Sequence, residues 1–573
     1  AYDPDGAGPL SPESVTISGF EPIVPGANGA GQWIDLADGS GIWKIQLTTD
    51  HGIPAPGLNQ VSFNGTIMRR ERFPNAPSLD FDYRTMAAAE EGSGINGNVD
   101  AVPAFYQATY EFDSLPAGDW SGARILTSPG VGLQIDSGNV LSNDADSLSF
   151  SYKVVGHYNH ANEGDPFYLY NSLLALDEPG EAFYDVEGIS GIANTLYLIP
   201  PPGDAPTQVE VELRSLRRHP GSPSQGTNSA LWFTNGVGHF VFEDLNILGA
   251  GVYASTGFSS NLSFRRVAVS YGSLSGTSVS LTSADNVFED GSITRGLGQG
   301  ITIGSKGSVR NNVFSKLMRE AIVSTGPATR IEYNTLFELG GIAITLSSKG
   351  GVVSNNNAYQ CAMLRADIGV LNSCSQGDLQ GLEVSYNWVH TSNGRFNAPL
   401  GWLGCLGIRL DGGCGYPGAS NFLVHHNLVC GVSSPYDLVV YGLQEGYPNY
   451  GDTKSKVYNN TVEGFLILSK DGNFAGMDVR NNIAGNFFGR ESALNSITTL
   501  EDNQFEAKSI VGNITGSALF EAPGLGNYLL TSESPGLDLG QDLGALTSGH
   551  LGIGPDLGAF EFESPSWVAG AKM

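Results

Sequence analysis

The sequence predicts an all-β protein, in which a right-handed parallel β-helix follows an N-terminal antiparallel β module. Three observations predict this fold class. An apolar-x-x-Asn motif recurs in steps of 22 residues through the second half of the chain, and apolar residues within the repeats alternate with period two. The first 200 residues alternate in the same way but lack the 22-residue step. Helical repeats would need a different apolar period.

The N-terminal module is expected over residues 1–205. Segments 42–48 and 61–65 alternate apolar and polar residues between frequent glycines and prolines, as hairpin strands do. We expect this sandwich-like module to cap the solenoid or to be inserted into it, because an open solenoid edge invites pairing with other chains.

The β-helix is expected over residues 206–565. Each repeat places Asn, or Asp as its substitute, three positions after an apolar residue, and from Asp290 onward the steps are 22, 22, 22, 31, 40, 33 and 22 residues. A 22-residue step is one coil of a solenoid whose rungs stack about 4.8 Å apart. At a corner, asparagine can take a left-handed conformation and bond the rungs above and below. A single ladder across 240–500 is therefore predicted for Asn312, Asn334, Asn356, Asn387, Asn427, Asn460 and Asn482.

The net charge of the chain limits the classes of molecule that it is expected to bind. The 573 residues carry 29 Lys+Arg against 58 Asp+Glu, a formal net charge of −29, and 40% of them are hydrophobic. This excess of acids argues against nucleic acid or an anionic membrane as the partner. The hydrophobic content is enough for a large core, and a soluble monomer is expected.

Cysteine usage and the chain start indicate an exported protein. All five cysteines fall within residues 361–430, without a C-x-x-C pair, so loops stapled in an oxidising compartment are expected rather than zinc. Cys405 and Cys414 flank a glycine pair and are the predicted disulfide. The start at Ala1 is typical of a mature chain after signal-peptide removal, which predicts a secreted, extracellular or periplasmic location. No cofactor is expected, although Asp3-Pro-Asp-Gly6 leaves a structural calcium ion open.

Several segments resemble secreted β-helix glycoside hydrolases. They are Arg69-Arg-Glu-Arg-Phe-Pro-Asn75, Leu176-Asp-Glu-Pro-Gly-Glu181 and the tail from Ser534 to Glu561. Together they are similar in pattern to glycoside hydrolase family 141, with families 120 and 136 as relatives in architecture. The resemblance covers most of the chain. It implies hydrolysis of glycosidic bonds in a plant or algal polysaccharide or its oligosaccharides.

The candidate site lies where the repeat lengthens, between Asn356 and Asn460. Extra residues on a solenoid become loops on one face, and such a face often binds the ligand. An inert, decorated surface is the alternative. The clustering of several features in this window favours a site, and those features are the five cysteines, Trp388, Trp402, His390, Arg365, Arg395 and Arg409.

Asp367 and Asp411 are the candidate catalytic acids. Segments 364–370 and 407–411 both alternate, so these two aspartates, with Arg365 and Arg409, are expected to face away from the core. The resemblance maps both onto acids of the family's motifs. Aligning Ile368 with Ile408 would leave the two aspartates roughly 13 Å apart along the strand. Asp437, expected to align with Asp367 two rungs away, and Glu320 therefore remain alternative partners.

The other candidates would bind substrate. Arg365 and Arg409 suit a uronic or sulfated sugar, and Arg409 could also pair with Asp411. Trp388 and Trp402 could stack on sugar faces, although Trp388 could equally pack under a loop. His390 could assist proton transfer or bond a loop carbonyl. Asp411 is expected in a groove walled by loops 371–381, 391–406 and 412–420.

Two other functions remain open from the sequence. A polysaccharide lyase would use a cation, such as Arg365 or Arg409, to neutralise a uronate, and a base such as His390 to remove the adjacent proton. A non-catalytic glycan-binding solenoid would need neither paired acids nor clustered insertions. A β-helix by itself does not choose among these functions.

Overall fold

The computed structural model describes most of the chain. The described residues are 15–27, 30–47, 60–76, 86–96, 105–113, 115–130, 132, 135–153, 160–214, 229–233, 236–254, 259–273, 276–374, 377–394, 404–411, 418–442, 449–469, 472–489, 491–565 and 567–572.

The predicted parallel β-helix is confirmed, and its rungs have three faces. Face 1 is an 11-stranded parallel sheet. Its strands are Val241–Glu243, Ser263–Arg265, Val287–Glu289, Ser308–Arg310, Arg330–Glu332, Val352–Ser354, Gly377–Ser385, Ala419–His425, Lys456–Tyr458, Asp478–Arg480 and Thr499–Glu501.

Faces 2 and 3 are continuous in one 22-stranded sheet. Face 2 contains Val15–Ser18, Leu245–Leu248, Ala268–Ser270, Ser292–Gly296, Val313–Leu317, Thr335–Leu339, Asn357–Tyr359, Trp388–Ser392, Leu428–Val432, Gln504–Phe505 and Ile514–Thr515. Face 3 contains Ser229–Phe233, Gly251–Ala254, Thr277–Leu281, Gln299–Ile303, Ile322–Ser324, Ile344–Thr345, Ile368–Cys374, Cys405–Asp411 and Tyr436–Tyr441. Two longer strands, Thr461–Ser469 and Ile483–Gly489, run through both faces.

Apolar columns fill the interior. On face 1 the inward residue of each rung lies directly over its equivalent in the next, beginning with Phe264 over Phe288 and continuing through Val309, Ile331 and Val353. All five are at most 1% exposed. Each buried side chain of this size contributes about 1.5–3 kcal/mol, so stacking of rungs supplies the core that one rung lacks.

The asparagine ladder is confirmed at the corner between faces 1 and 2. All seven predicted members are buried, and each side-chain amide donates to the Oδ1 of the next, from Asn312 to Asn334 at 3.1 Å through Asn460 to Asn482 at 2.9 Å. The ladder continues to Asn503 and Asn513.

One detail of that prediction is wrong, because the left-handed residue is not the ladder asparagine. The residue before it has φ between 48° and 58° on the rungs of Asn312 to Asn503. The asparagine side chains at this position donate to carbonyls of the C-terminal part of the chain. The tight turn is made there, which leaves the ladder asparagine free to point inward. These left-handed corner residues are Asn311, Tyr333, Asn355, Tyr386, His426, Asn459, Asn481 and Asp502.

The N-terminal part forms three further sheets. The seven-stranded antiparallel sheet has the strand order Ala87–Ala88, Pro166–Tyr170, Arg124–Thr127, Asp136–Asn143, Ser147–Tyr152, Tyr106–Glu111 and Gly94–Ile95. A five-stranded sheet contains Ile34–Asp35, Trp43–Gln46, Thr195–Ile199, Glu181–Asp185 and Arg69–Arg70, and a four-stranded sheet contains Phe20–Pro22, Val211–Arg214, Val61–Phe63 and Thr66–Ile67.

The module joins the solenoid in two ways. Val15–Ser18, although within the range expected for the module, is a solenoid strand paired with Leu245–Leu248. The seven-stranded sheet also packs against the corner between faces 2 and 3, where Ser128 Oγ donates to the Leu364 carbonyl at 2.6 Å and Ala366 N–H donates to the Gly132 carbonyl at 3.0 Å. The module therefore positions the turn that carries Arg365 and Asp367.

The Arg69–Asn75 segment has a structural role inside the module. Glu71 is buried and accepts the Asn171 N–H at 2.7 Å, while the Arg70 and Arg72 guanidinium groups lie over the Tyr168 ring. Burial raises the pKa of Glu71 to about 8, and burial likewise raises the pKa of Glu181 to about 7.

The raised pKa values of Glu71 and Glu181 predict that the module is more stable at acidic pH. The ordinary pKa is 4.5, so between pH 4.5 and 8 the folded state holds protons that the unfolded chain releases. Their contribution to the free energy of unfolding is complete below pH 4.5 and is lost as the pH rises to 8. We expect Glu71→Gln to reduce the fall in denaturant midpoint between pH 5 and pH 8. Glu178→Gln, at a half-exposed ion pair with Arg69, is the control, and an unchanged fall in Glu71→Gln would contradict the prediction.

The predicted disulfide between Cys405 and Cys414 is wrong. Cys405 is a free thiol, fully buried in the solenoid core, and Cys361 and Cys430 are also free. Cys405 opens a face 3 strand at an inward position, so its sulfur packs among apolar side chains instead of reaching across a loop. Cys414 lies outside the described residues.

Helices are scarce in the described part of the chain. Its one α-helix is Glu491–Ser496, and its 3₁₀ turns include Leu173–Ala175, Pro523–Leu525 and Gly544–Leu546. None of the described helices has the length and apolar character needed to span a bilayer.

The C-terminal segment runs back along the ladder corner. After the hairpin Phe520–Ala522 and Asn527–Leu530, residues 556–565 and 567–572 pass from the rung of Asn481 to that of Asn311. Gly558 N–H donates to the Asn481 carbonyl at 2.7 Å, and Lys572 N–H donates to Asn311 Oδ1 at 2.6 Å. This segment covers the left-handed corner over seven rungs.

Candidate active site

Arg409 on face 3 brings the two predicted acids together. Its Nη1 lies 3.2 Å from Asp367 Oδ1, and its Nη2 lies 2.8 Å from Asp411 Oδ2. The two nitrogens of one planar guanidinium are about 2.3 Å apart, so the two carboxylate oxygens lie within roughly 8 Å of each other. That upper limit includes the carboxyl spacing of retaining glycosidases, about 5–5.5 Å, and the shorter part of the range of inverting ones, about 6.5–9.5 Å.

The register differs from the one expected. Ile368 pairs with Cys405, and Ile408 pairs with Leu371, a shift of three residues. Residues 364–367 are also not a strand. Asp367 ends a turn with φ 54°, and the strand starts only at Ile368. The long Arg409 side chain, reaching back from the middle of its strand, spans the gap that the shift would otherwise leave.

Asp411 faces away from the core, as expected, but it is buried rather than exposed. Ile408 and Leu410 belong to the interior cluster, while the Asp411 side chain is 3% exposed and that of Asp367 is 24% exposed. Of the predicted groove walls, 395–403 and 412–417 lie outside the described residues. The predicted loop 371–381 is wrong, because 371–374 and 377–381 belong to the strands Ile368–Cys374 and Gly377–Ser385.

Tyr441 is a member of this cluster that the sequence did not reveal. The Arg409 guanidinium lies over its ring at 5.2 Å, within cation–π range. Burial raises the pKa of Tyr441, although Arg409 acts in the opposite direction. The pairing of Leu410 with Val440 places Tyr441 beside Asp411 on the next rung. Only a known register could have predicted this contact.

Glu320 and Arg365 form a second ion pair beside the first. Arg365 Nη1 lies 2.6 Å from Glu320 Oε1, and Gln299 donates to Glu320 Oε2 at 3.1 Å. Burial tends to raise the pKa of Glu320, but the charge of Arg365 and these hydrogen bonds outweigh it, and the pKa falls below its ordinary value. Because Arg365 is two residues before Asp367, the two ion pairs share one turn.

Asp437 does not align with Asp367. Its strand pairs Leu438 with Ile408, which places Asp437 level with Gly407 and Val370. Asp437 is 2% exposed and accepts the Gly464 N–H at 2.6 Å. Burial raises the pKa of Asp437 well above the ordinary value of an aspartate.

His390 and Trp388 lie on face 2, away from the Arg409 cluster. His390 stacks on Tyr359 and contacts Asn357 Oδ1 and Thr391 Oγ1, each at 3.0 Å. Burial lowers the pKa of His390 to about 4, so the ring is neutral at pH 7. Trp388 packs against Gly526 and Tyr528 of the C-terminal part, which matches its alternative role. Trp402 and Arg395 lie outside the described residues.

The described side chains do not form a metal site. No group of three or more His, Cys, Asp or Glu residues in this part of the chain is arranged to hold an ion. Asp3 and Asp5 lie outside the described residues, so a structural calcium ion at that segment stays a prediction.

Comparison with known proteins finds solved structures at low sequence identity. No family model and no curated protein matches the chain. Among solved structures, one described as a glycoside hydrolase is 12% identical, with 89% of this chain and 83% of that chain covered and a TM-score of 0.47. The pectate lyase Pel9A is 14% identical, with coverages of 60% and 85% and a TM-score of 0.32. The catalytic domain of a GH87 α-1,3-glucanase is 9% identical, with coverages of 81% and 100% and a TM-score of 0.25.

Proposed function

We propose that this chain is an enzyme that hydrolyses glycosidic bonds of a plant or algal polysaccharide or its oligosaccharides outside the cell. One observation carries the proposal, namely that Asp367 and Asp411, from neighbouring rungs, meet on the two nitrogens of Arg409. Glycoside hydrolysis requires two carboxyl groups at such a spacing. The pattern shared with glycoside hydrolase family 141 adds to it.

The environments of the two acids suggest their roles. Asp411 is the more buried and has the shorter contact with Arg409, so it is the better carboxylate to attack the anomeric carbon or to activate a water. Asp367 is more exposed and has the longer carboxylate contact with Arg409, so it is the better donor to the departing glycosidic oxygen. Tyr441 and Arg409 would hold Asp411 in place.

The same ion pairs favour hydrolysis over elimination. A lyase needs a cation to neutralise the substrate's uronate. Here Arg409 is already engaged by two carboxylates and Arg365 by Glu320, so neither guanidinium offers its full charge to an acidic sugar. His390, the base considered for elimination, lies on another face.

A product assay tests the proposal. The full chain is incubated with neutral and uronate-containing polysaccharides while reducing ends and absorbance at 235 nm are followed together. We expect new reducing ends without an unsaturated product. Absorbance rising in step with the reducing ends would establish a lyase instead, and binding without either product would establish a glycan-binding solenoid.

A further inference from the structure

A cluster of aromatic and titratable side chains lies at the ladder corner, beneath the C-terminal segment. A cavity of about 190 Å³ opens there, lined by Tyr386, His426, His550, Glu561 and Trp567 among others. Tyr386 and His426 are left-handed corner residues, with φ 54° and 52°, so their side chains point away from the core. The Arg409 cluster is on face 3, and this cavity is therefore a separate place on the solenoid.

A hydrogen-bonded chain leads into this cavity. Glu383 Oε1 lies 3.3 Å from His425 Nε2, and His425 Nδ1 lies 2.9 Å from His426 Nδ1. The hydrogen bond from His425 lowers the pKa of Glu383, so the carboxylate accepts and His425 Nε2 donates. His426 takes part in this hydrogen-bonded chain through Nδ1, whichever of the two histidines carries the proton between them. Its Nε2 lies on the opposite side of the ring and is not part of the chain. Burial, followed by the nearby His425, lowers the pKa of His426 to about 3, so that ring is neutral.

The aromatic wall of the cavity is held rigidly. Trp567 Nε1–H donates to the Ala559 carbonyl at 2.9 Å, and its ring stacks on Phe560 with centroids 5.0 Å apart. The rings of Trp567 and Tyr386 meet edge to face, with centroids 5.8 Å apart. A second cavity, of about 140 Å³, is lined by the same Phe560 and Trp567 together with Trp388 and Tyr528. The two neighbouring cavities, or hollows, therefore share one aromatic wall, formed by Phe560 and Trp567.

We propose that these two hollows form a binding site for neutral sugar rings, separate from the Arg409 cluster. Aromatic faces take the C–H surface of a pyranose, and His426 Nε2 with the Tyr386 hydroxyl can hydrogen-bond its hydroxyl groups. The net charge of −29 and Glu561 in the wall disfavour an anionic ligand. The inference takes the carbohydrate class from the proposed function but does not depend on the proposed chemistry.

Binding of simple glycosides tests this site without turnover. Methyl β-D-glucopyranoside, methyl β-D-xylopyranoside and methyl α-D-glucuronide are titrated into the full ¹⁵N-labelled protein. The His426 side-chain nitrogen resonances and saturation transfer from the protein are followed. We expect a neutral glycoside to shift the His426 Nε2 resonance and the glucuronide to leave it unchanged. His426→Gln and Trp567→Leu should each weaken binding at least about tenfold, the loss of one buried polar or aromatic contact.

Two controls separate this site from the proposed active site. His239→Gln replaces another left-handed histidine, with φ 63°, outside the cavity and should bind as the wild type does. Asp411→Asn should also bind normally, whether or not Asp411 proves essential for hydrolysis. Failure of all the neutral glycosides to bind would overturn the inference. Binding that survives in both His426→Gln and Trp567→Leu would do so as well. If Trp567→Leu fails to fold, undiminished binding in His426→Gln alone would overturn the inference.

Discussion

Asp411→Asn is expected to lower turnover by at least about 10²-fold, the low end of the effect of a general acid or base. Asparagine keeps the shape of the side chain and can still contact Arg409, but it carries no negative charge and neither takes up nor gives up a proton under assay conditions. Asp367→Asn should have a similar effect, because each acid does a different half of the reaction. The measurement is the initial rate of reducing-end release on the best polysaccharide from the panel.

A matched control shows whether the loss is specific to the site. Asp290→Asn makes the same carboxyl-to-amide change at a residue outside the site. Asp290 has a left-handed backbone, with φ 57°, which asparagine adopts equally well. It should retain wild-type turnover, and all three variants should keep the circular dichroism of the parent. Near-normal turnover in Asp411→Asn, with activity abolished by Arg365 or His390 substitutions, would replace the hydrolase assignment with the lyase.

The solenoid could be predicted because its main determinant is local and repeated. An asparagine that recurs every 22 residues after an apolar strand needs no knowledge of other rungs to be recognised, and Asn312, Asn334 and Asn356 show the pattern directly. The left-handed residue was missed because its position alternates between Asn and other residue types, such as Tyr333 and His426, so no single residue marks it. Its backbone conformation is imposed by the inward bonding of the residue that follows.

The site could be predicted only in part, because insertions hide the register. Asp367, Arg409 and Asp411 were identified from alternation, but matching Ile368 to Ile408 treated a turn as a strand and misplaced the pairing by three residues. The contacts that assemble the cluster depend on which residues neighbour each other across rungs of 31 and 40 residues. Tyr441 has no distinguishing feature in its own segment, and its place over Arg409 follows from that register alone.

Removing one ladder asparagine is expected to be among the most destabilising single changes in the solenoid. The Asn387 Oδ1 accepts from both the backbone and the side-chain nitrogen of Asn356, each at 3.0 Å, and its Nδ2 donates to the Val353 carbonyl at 2.8 Å. In Asn387→Ala, the buried backbone N–H of Asn356 loses its acceptor and the Val353 carbonyl loses its side-chain donor, whereas Asn356 Nδ2 keeps the carbonyls of its own corner. Each such group costs about 1–3 kcal/mol, so the free energy of unfolding should fall by about 2–6 kcal/mol.

The location of that loss is as informative as its size. Stability in a stacked repeat is a sum over neighbouring rungs, so amide hydrogen exchange should accelerate first at 354–358 and 425–429, on either side of Asn387. Guanidinium denaturation followed by circular dichroism gives the overall shift in midpoint. Asn261→Gly is the control, because this exposed residue has φ 57° and no place in the ladder, and glycine adopts that backbone freely. If Asn387→Ala were no more destabilising than Asn261→Gly, the ladder would be a consequence of rung stacking and not one of its causes.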